Sequence, residues 1–346
     1  MPSETETFTK NEKNVLEYSF SLGILAMEGR GFEYPTDIAI ASNGRLYVPN
    51  RARDAGQRGV RITVLDEASE YYGTFGLIGN DEGQLIAPMA ITEDKLKRIL
   101  VTDEYSNQVS AFDHDGNFIM RWGEYGDGNG QFNTPSGIVT DHDNNVYVTD
   151  TRNHRIQKFT EDGHFILSIG NKGSAAGEMD LPWGLTISPS GELYVADWGN
   201  DRILRFSLEG NYIENYGSSG IGDGEFRRPS GVAVDNRGYI YVSDWGNERV
   251  QVLDEKGVFL QKLRGESSLS KWAAHFLDTN SEEGDARKLA NLEPDTSFLD
   301  AHDPHAESAH IEKFFWAPLS VELDGEGRLF VVDSNRHRIQ IYNQIS

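Results

Sequence analysis

Histidine and carboxylate side chains are densest near the end of the chain, in the stretch FLDAHDPHAESAHIEKFF from Phe298 to Phe315. His302, His305 and His310 could offer neutral imidazole nitrogens to a divalent metal such as zinc, with Asp303 or Asp300 as an oxygen ligand; calcium is the other candidate ion. The spacing H-x-x-H-x-x-x-x-H matches no established ligand motif, and histidines three apart around a proline need not converge. A solvated polar segment is therefore the competing reading. Arginine crowds a different stretch, PNRARDAGQRGVR, which holds Arg51, Arg53, Arg58 and Arg61. Guanidinium groups there could grip a carboxylate or phosphate, or merely pair with acids on an exposed loop. Asp37, with Glu33 just before it, could bind a cation or act as a base, or cap a loop.

Whether such residues make one site depends on the elements that carry them, and those elements repeat. Segments beginning at Pro88, Pro135, Pro182 and Pro229 follow one another at intervals of 47 residues, and further copies begin at Pro35 and Pro318. Each copy reads as four short strands. In the one from Pro135, GIVTD, NVYVTD, RIQKF and FILSIG are separated by turn residues. Four-stranded repeats of this length predict an all-β fold, a six-bladed β-propeller, because one blade cannot bury both faces without its neighbours. The last copy stops after its third strand. LEYSFSLGILA, Leu16 to Ala26, is expected to supply the fourth and close the ring. The whole chain, 1–346, then forms one domain, with a polar tail over 1–15.

The recurring segments P-S-G-I/V, Y-V-T/A/S-D and N-x-R-I/V, as in Asn153-His154-Arg155-Ile156 and Asn247-Glu248-Arg249-Val250, resemble NHL repeats. That resemblance covers nearly the whole chain. It implies the propeller fold, while its functions range over protein-interaction and RNA-binding propellers, sensor domains and a metal-using amidating lyase. Fold alone does not choose among them.

Residues present in every blade are explained first by what every blade needs. Asp103, Asp150, Asp197, Asp244 and Asp333 end second strands, and Arg155, Arg202, Arg249 and Arg338 start third strands, so these are expected to pair and fix the turn. Trp198 and Trp245, in matching DWGN stretches, are expected to pack between blades rather than form a ligand platform. The glycine-rich loops lack a Walker lysine and read as inter-blade turns. What breaks the repeat on the face shared by the inter-blade connections gives the binding candidates: Asp37, Arg51, Arg53 and Trp183, with Arg152 and Arg336 beside His154 and His337.

Between Pro229 and Pro318 the chain is 42 residues longer than its period. Leu269, Trp272, Ala273 and Phe276 have helical spacing, GDARKLANLEP reads as a helix ending before Pro294, and Asp303-Pro304 starts another. This helical insertion, 265–316, is expected to act as a lid or docking element over the channel.

The chain carries 55 acidic against 32 basic residues, a formal charge of −23, which makes nucleic acid and anionic membranes poor partners. With no cysteine there is no disulfide framework or thiolate site. The polar N-terminus has no signal-peptide core, giving a cytoplasmic expectation subject to a trimmed leader. Two functions follow. One is a propeller binding a small ligand or protein partner at its channel face. The other is a metal-assisted lyase or hydrolase acting on a small anionic substrate, with Asp37 or the histidines around the metal.

Overall fold

The computed structural model describes residues 14–52, 58–299 and 303–345. Six four-stranded antiparallel sheets stand in a ring. Blade three shows the pattern: strands Pro135–Thr140, Val146–Asp150, Arg155–Phe159 and Phe165–Ile169 pair in order from the axis outward. The second and third strands are buried on both faces, as Val146, Val148 and Phe159 on one side and Tyr147 and Ile156 on the other show. Such strands hold together only when another blade covers each side, and the core accordingly lies between blades: Ile138, Val146, Val148 and Phe159 of blade three pack with Leu100, Val109 and Ala111 of blade two.

The ring closes as the sequence implies. Leu16–Leu22 pairs antiparallel with Arg338–Gln344, so blade six takes three strands from the C-terminal end and one from the N-terminal end. Val15 and Leu16 add a second tie, their backbone N–H groups donating to Gln261 Oε1 of blade five at 2.7 and 2.8 Å.

The repeated acid and arginine staple the connections between blades. Arg155 Nε donates to Asp150 Oδ2 at 2.8 Å and its Nη2 reaches the Gly128 carbonyl at 2.7 Å, while Asp150 Oδ1 accepts from Asn133 N at 2.7 Å. Blades four, five and six repeat the pair at 2.7–2.8 Å. Blade two has Gln108 where the arginine would stand, and Asp103 accepts instead from the backbone N–H groups of Ile86, Ala87, Tyr105 and Ser106.

A second repeated device accounts for two singled-out histidines. The residue that ends each of these turns is left-handed and takes a hydrogen bond from the left-handed residue before the next blade's first proline. His154 Nδ1 accepts from Leu181 N and His337 Nδ1 from Tyr34 N; Asn107, Asp201 and Glu248 do the same for Thr134, Arg228 and Ala317. His154 and His337 are thus blade connectors.

The insertion holds three helices, α1 (Lys271–Thr279), α2 (Ser281–Leu289) and α3 (Pro304–His310). Ser270 caps α1 and its hydroxyl also binds the Gly23 carbonyl. Trp272 is buried against Phe32 and Tyr71, with its indole N–H on the Ser69 carbonyl at 2.7 Å. Asp303 caps α3 through Ala306 N. α2 begins earlier than GDARKLANLEP suggests and ends at Leu289, before Pro294 is reached.

Candidate functional site

Two cavities of about 260 and 430 Å³ open one into the other along the ring axis, sharing Thr36, Met89, Trp183, Ser230 and Leu319. The inner strands build the lower one. Their third residue, two beyond the proline, is Gly137, Gly184 or Gly231 in three blades, and a Cβ on Gly137 or Gly184 would lie 2.5 Å from the next blade's backbone oxygen. Blade one has Asp37 there, and blade six has Ser320.

Asp37 faces the channel. Its Oδ1 accepts from Ser320 Oγ at 2.5 Å and its Oδ2 from Ile91 N at 2.9 Å, while burial pushes its pKa up to about 6. Glu322, two residues beyond Ser320, lines the same cavity. Burial, with the nearby Asp37 charge, pushes it further, to about 8. Glu322 is not among the residues that the strand starts singled out. Residues two apart on a strand share a face, and the equivalents of Glu322 are Ala39, Thr92, Val139, Thr186 and Ala233, so the break was visible in principle.

The upper cavity is the channel mouth. The turns after the second strands of blades four and five bring Trp198 and Trp245 there, and the start of blade four brings Trp183. Their rings follow one another with centroids 6.1 and 6.4 Å apart, tilted by 30° and 42°. Trp198 and Trp245 were expected to be packing residues. They do touch across the blade boundary, yet both are only partly buried and line the cavity. Tyr34 and Arg51 complete the wall. Arg51 is ion-paired with Glu104.

The remaining candidates lie elsewhere. Arg152 is exposed and lines neither channel cavity. Arg336 donates to the Ser308 and Ile311 carbonyls and lies over Trp316, tying α3 to blade six. Arg61 is the blade-one equivalent of the staple arginine, bound to the Ala26 and Met27 carbonyls at 2.7 and 2.8 Å. Arg53, His302 and Asp300 lie outside the described residues.

Among the described residues, the metal candidates His305, His310 and Asp303 do not come together. His305 Nδ1 meets the buried Glu248 at 2.6 Å, and its Nε2 accepts from the Trp316 indole at 3.3 Å. His310 Nδ1 donates to the Ala306 carbonyl of its own helix, and Asp303 is a helix cap. Among the described residues no three His, Asp or Glu side chains stand together as a metal site. None of the insertion's described residues 265–299 or 303–316 lines either channel cavity; the insertion clasps the outside and rim of blades five, six and one.

Geometry and topology define a six-bladed β-propeller with an aromatic mouth above an acidic channel. The NHL-repeat family model matches residues 132–159, 179–206 and 226–253, so blades three to five of the six-bladed ring carry NHL repeats. A stretch of 48 residues, 14% of the chain, is 44% identical to protein lin-41 of Caenorhabditis elegans, spanning 4% of that protein. Among solved structures, a gluconolactonase from Xanthomonas campestris is similar with a TM-score of 0.60 at 15% identity, covering 96% of this chain and 95% of that one. A catalytically inactive virginiamycin B lyase from Staphylococcus aureus, with quinupristin, has a TM-score of 0.56 at 16% identity, over 93% and 83%. At such identities the likeness is one of fold. No described helix is long and apolar enough to cross a membrane.

Proposed function

We propose that this NHL propeller binds a small organic ligand at the mouth of its channel. The observation that carries the reading is the arc of Trp183, Trp198 and Trp245 lining a cavity of about 430 Å³ that continues into the channel. Apolar and aromatic walls with a few convergent polar groups are the usual composition of a small-molecule pocket. The three rings are only partly buried where they line the cavity, and Asp37 and Glu322 below give a ligand a polar end to meet. Binding would change the environment of three of the six tryptophans. A fluorescence screen of a small-molecule library is therefore expected to give saturable hits that are lost in Trp198→Ala. Hits that persist unchanged in both Trp198→Ala and Trp183→Ala would place binding elsewhere.

A lyase or hydrolase reading is favoured by one observation, the two channel carboxyls with raised and separated pKa values, an arrangement suited to acid–base work. A gluconolactonase and a virginiamycin B lyase are among its fold neighbours. Turnover of a gluconolactone or of virginiamycin B that is abolished by Glu322→Gln would support it, and turnover unaffected by that change would remove the carboxyl pair from the reaction.

A further inference from the structure

The residues lining the lower cavity include three acids, Asp37, Glu93 and Glu322, and no lysine, arginine or histidine. Glu93 already receives Ser42 N, Ser42 Oγ and His114 Nε2. Asp37 is held by Ser320 and Ile91. Glu322 has no side-chain partner among the described residues, only the backbone of Leu323 and the charge of Asp37 near it. At the mouth, the cation of Arg51 is neutralised by Glu104. The aromatic arc meanwhile shows what it can hold: the Arg228 guanidinium sits 4.7 Å from the centroid of Trp198. Indole faces attract cations through their quadrupole, more strongly when water is excluded.

We infer that the ligand of the channel mouth is an organic ammonium ion, its cationic head set against the Trp183–Trp198–Trp245 arc and above the Asp37 and Glu322 carboxyls. This rests on the channel-mouth reading and names its ligand class. A bare divalent metal would suit the acids but gain nothing from an indole wall, and a neutral ligand would suit the wall but leave the acids uncompensated. An ammonium ion bearing carbon substituents satisfies both. Bound close to Asp37 and Glu322, it would favour their ionised forms, so binding is coupled to proton release and tightens as pH rises. The other charged groups facing this space are Glu93 from blade two and the Arg51–Glu104 pair at the mouth, already partnered, and the Arg228 guanidinium on Trp198, with which the ammonium ion would compete for that ring.

Choline, its neutral isostere 3,3-dimethylbutan-1-ol and the anion 3,3-dimethylbutanoate separate the terms. Tryptophan fluorescence and calorimetric titrations at pH 8.5 and 5.5 would use wild type, Trp198→Ala, Glu322→Gln and Asp37→Asn, each checked for native circular dichroism. Choline is expected to bind at pH 8.5 about tenfold or more tighter than the alcohol, with the butanoate weakest. The preference should shrink at pH 5.5 and in Glu322→Gln, while the alcohol is unaffected by either. If Glu322→Gln does not fold, Asp37→Asn and the pH series read the same term. Alcohol or butanoate binding as tightly as choline, and lost in Trp198→Ala, would overturn the ammonium inference and leave the channel-mouth site standing. Silence from all three probes would overturn the inference and count against the site as well.

Discussion

Glu322 shows how a single half-buried channel carboxyl ties stability to pH. Its folded-state pKa, about 8, lies above its unfolded value, so the folded chain binds the extra proton between pH 4.5 and 8. An acid raised in this way carries no ionisation penalty while protonated, and it destabilises the fold progressively as pH rises through that window. Glu322→Gln removes the titration. Chemical denaturation should show the variant close to wild type at pH 4.5 and more stable by roughly 2–4 kcal/mol at pH 8.5. Equal differences at both pH values would mean that the carboxyl is not shielded from water. At this scale the sequence was only partly legible. Asp37 stood out because the repeat sets glycine in its place. Glu322 did not, because its neighbours around the ring already vary. Trp198 and Trp245 were legible as a matching pair but not as cavity lining, since a repeat alone cannot tell a residue packed inside a blade boundary from one at its open rim.

Among the elements, the turn staples and the insertion behave differently. Arg249 and Asp244 are both almost wholly shielded from solvent, and Arg249 also holds the carbonyls of Ile221, Gly222 and Glu225. Removing one partner leaves a buried charge without its counterion, so Arg249→Met should cost about 3–5 kcal/mol in urea denaturation. A loss below about 1 kcal/mol would make the pair no more than a surface contact. These staples were readable because acid, turn and arginine recur in register. The insertion was readable as helices, from the spacing of Leu269, Trp272 and Phe276, but not as to where they dock. An apolar stripe says that a face is covered, not by what. In this chain Trp272 seats α1 on blade one, and Trp272→Ala should cost roughly 3–5 kcal/mol by the lost packing, read as a lowered melting temperature.

The ring as a whole is legible from its period, because a four-stranded repeat without a partner at each end leaves two sheet edges that only closure removes. Leu16–Leu22 provides that closure and packs into the boundaries on both sides of blade six, Leu16 with Tyr241 and Val250 and Leu22 with Leu46 and Phe330. Deleting residues 1–22 should leave the edge strand Arg338–Gln344 unpaired, and the protein should lose its cooperative unfolding transition or self-associate in sedimentation. A monomer with wild-type melting behaviour would show that the closure is dispensable. Ligand chemistry is less legible than architecture because it is assembled from blades one, four, five and six, whose contributing residues lie far apart in sequence and meet only around the axis. The most direct test of that assembly is a crystal structure of the protein soaked with choline at pH 8.5. The account predicts density for the trimethylammonium group against the Trp183–Trp198–Trp245 arc, on the side facing Glu322. Density against the insertion helices, with an empty channel mouth, would contradict it.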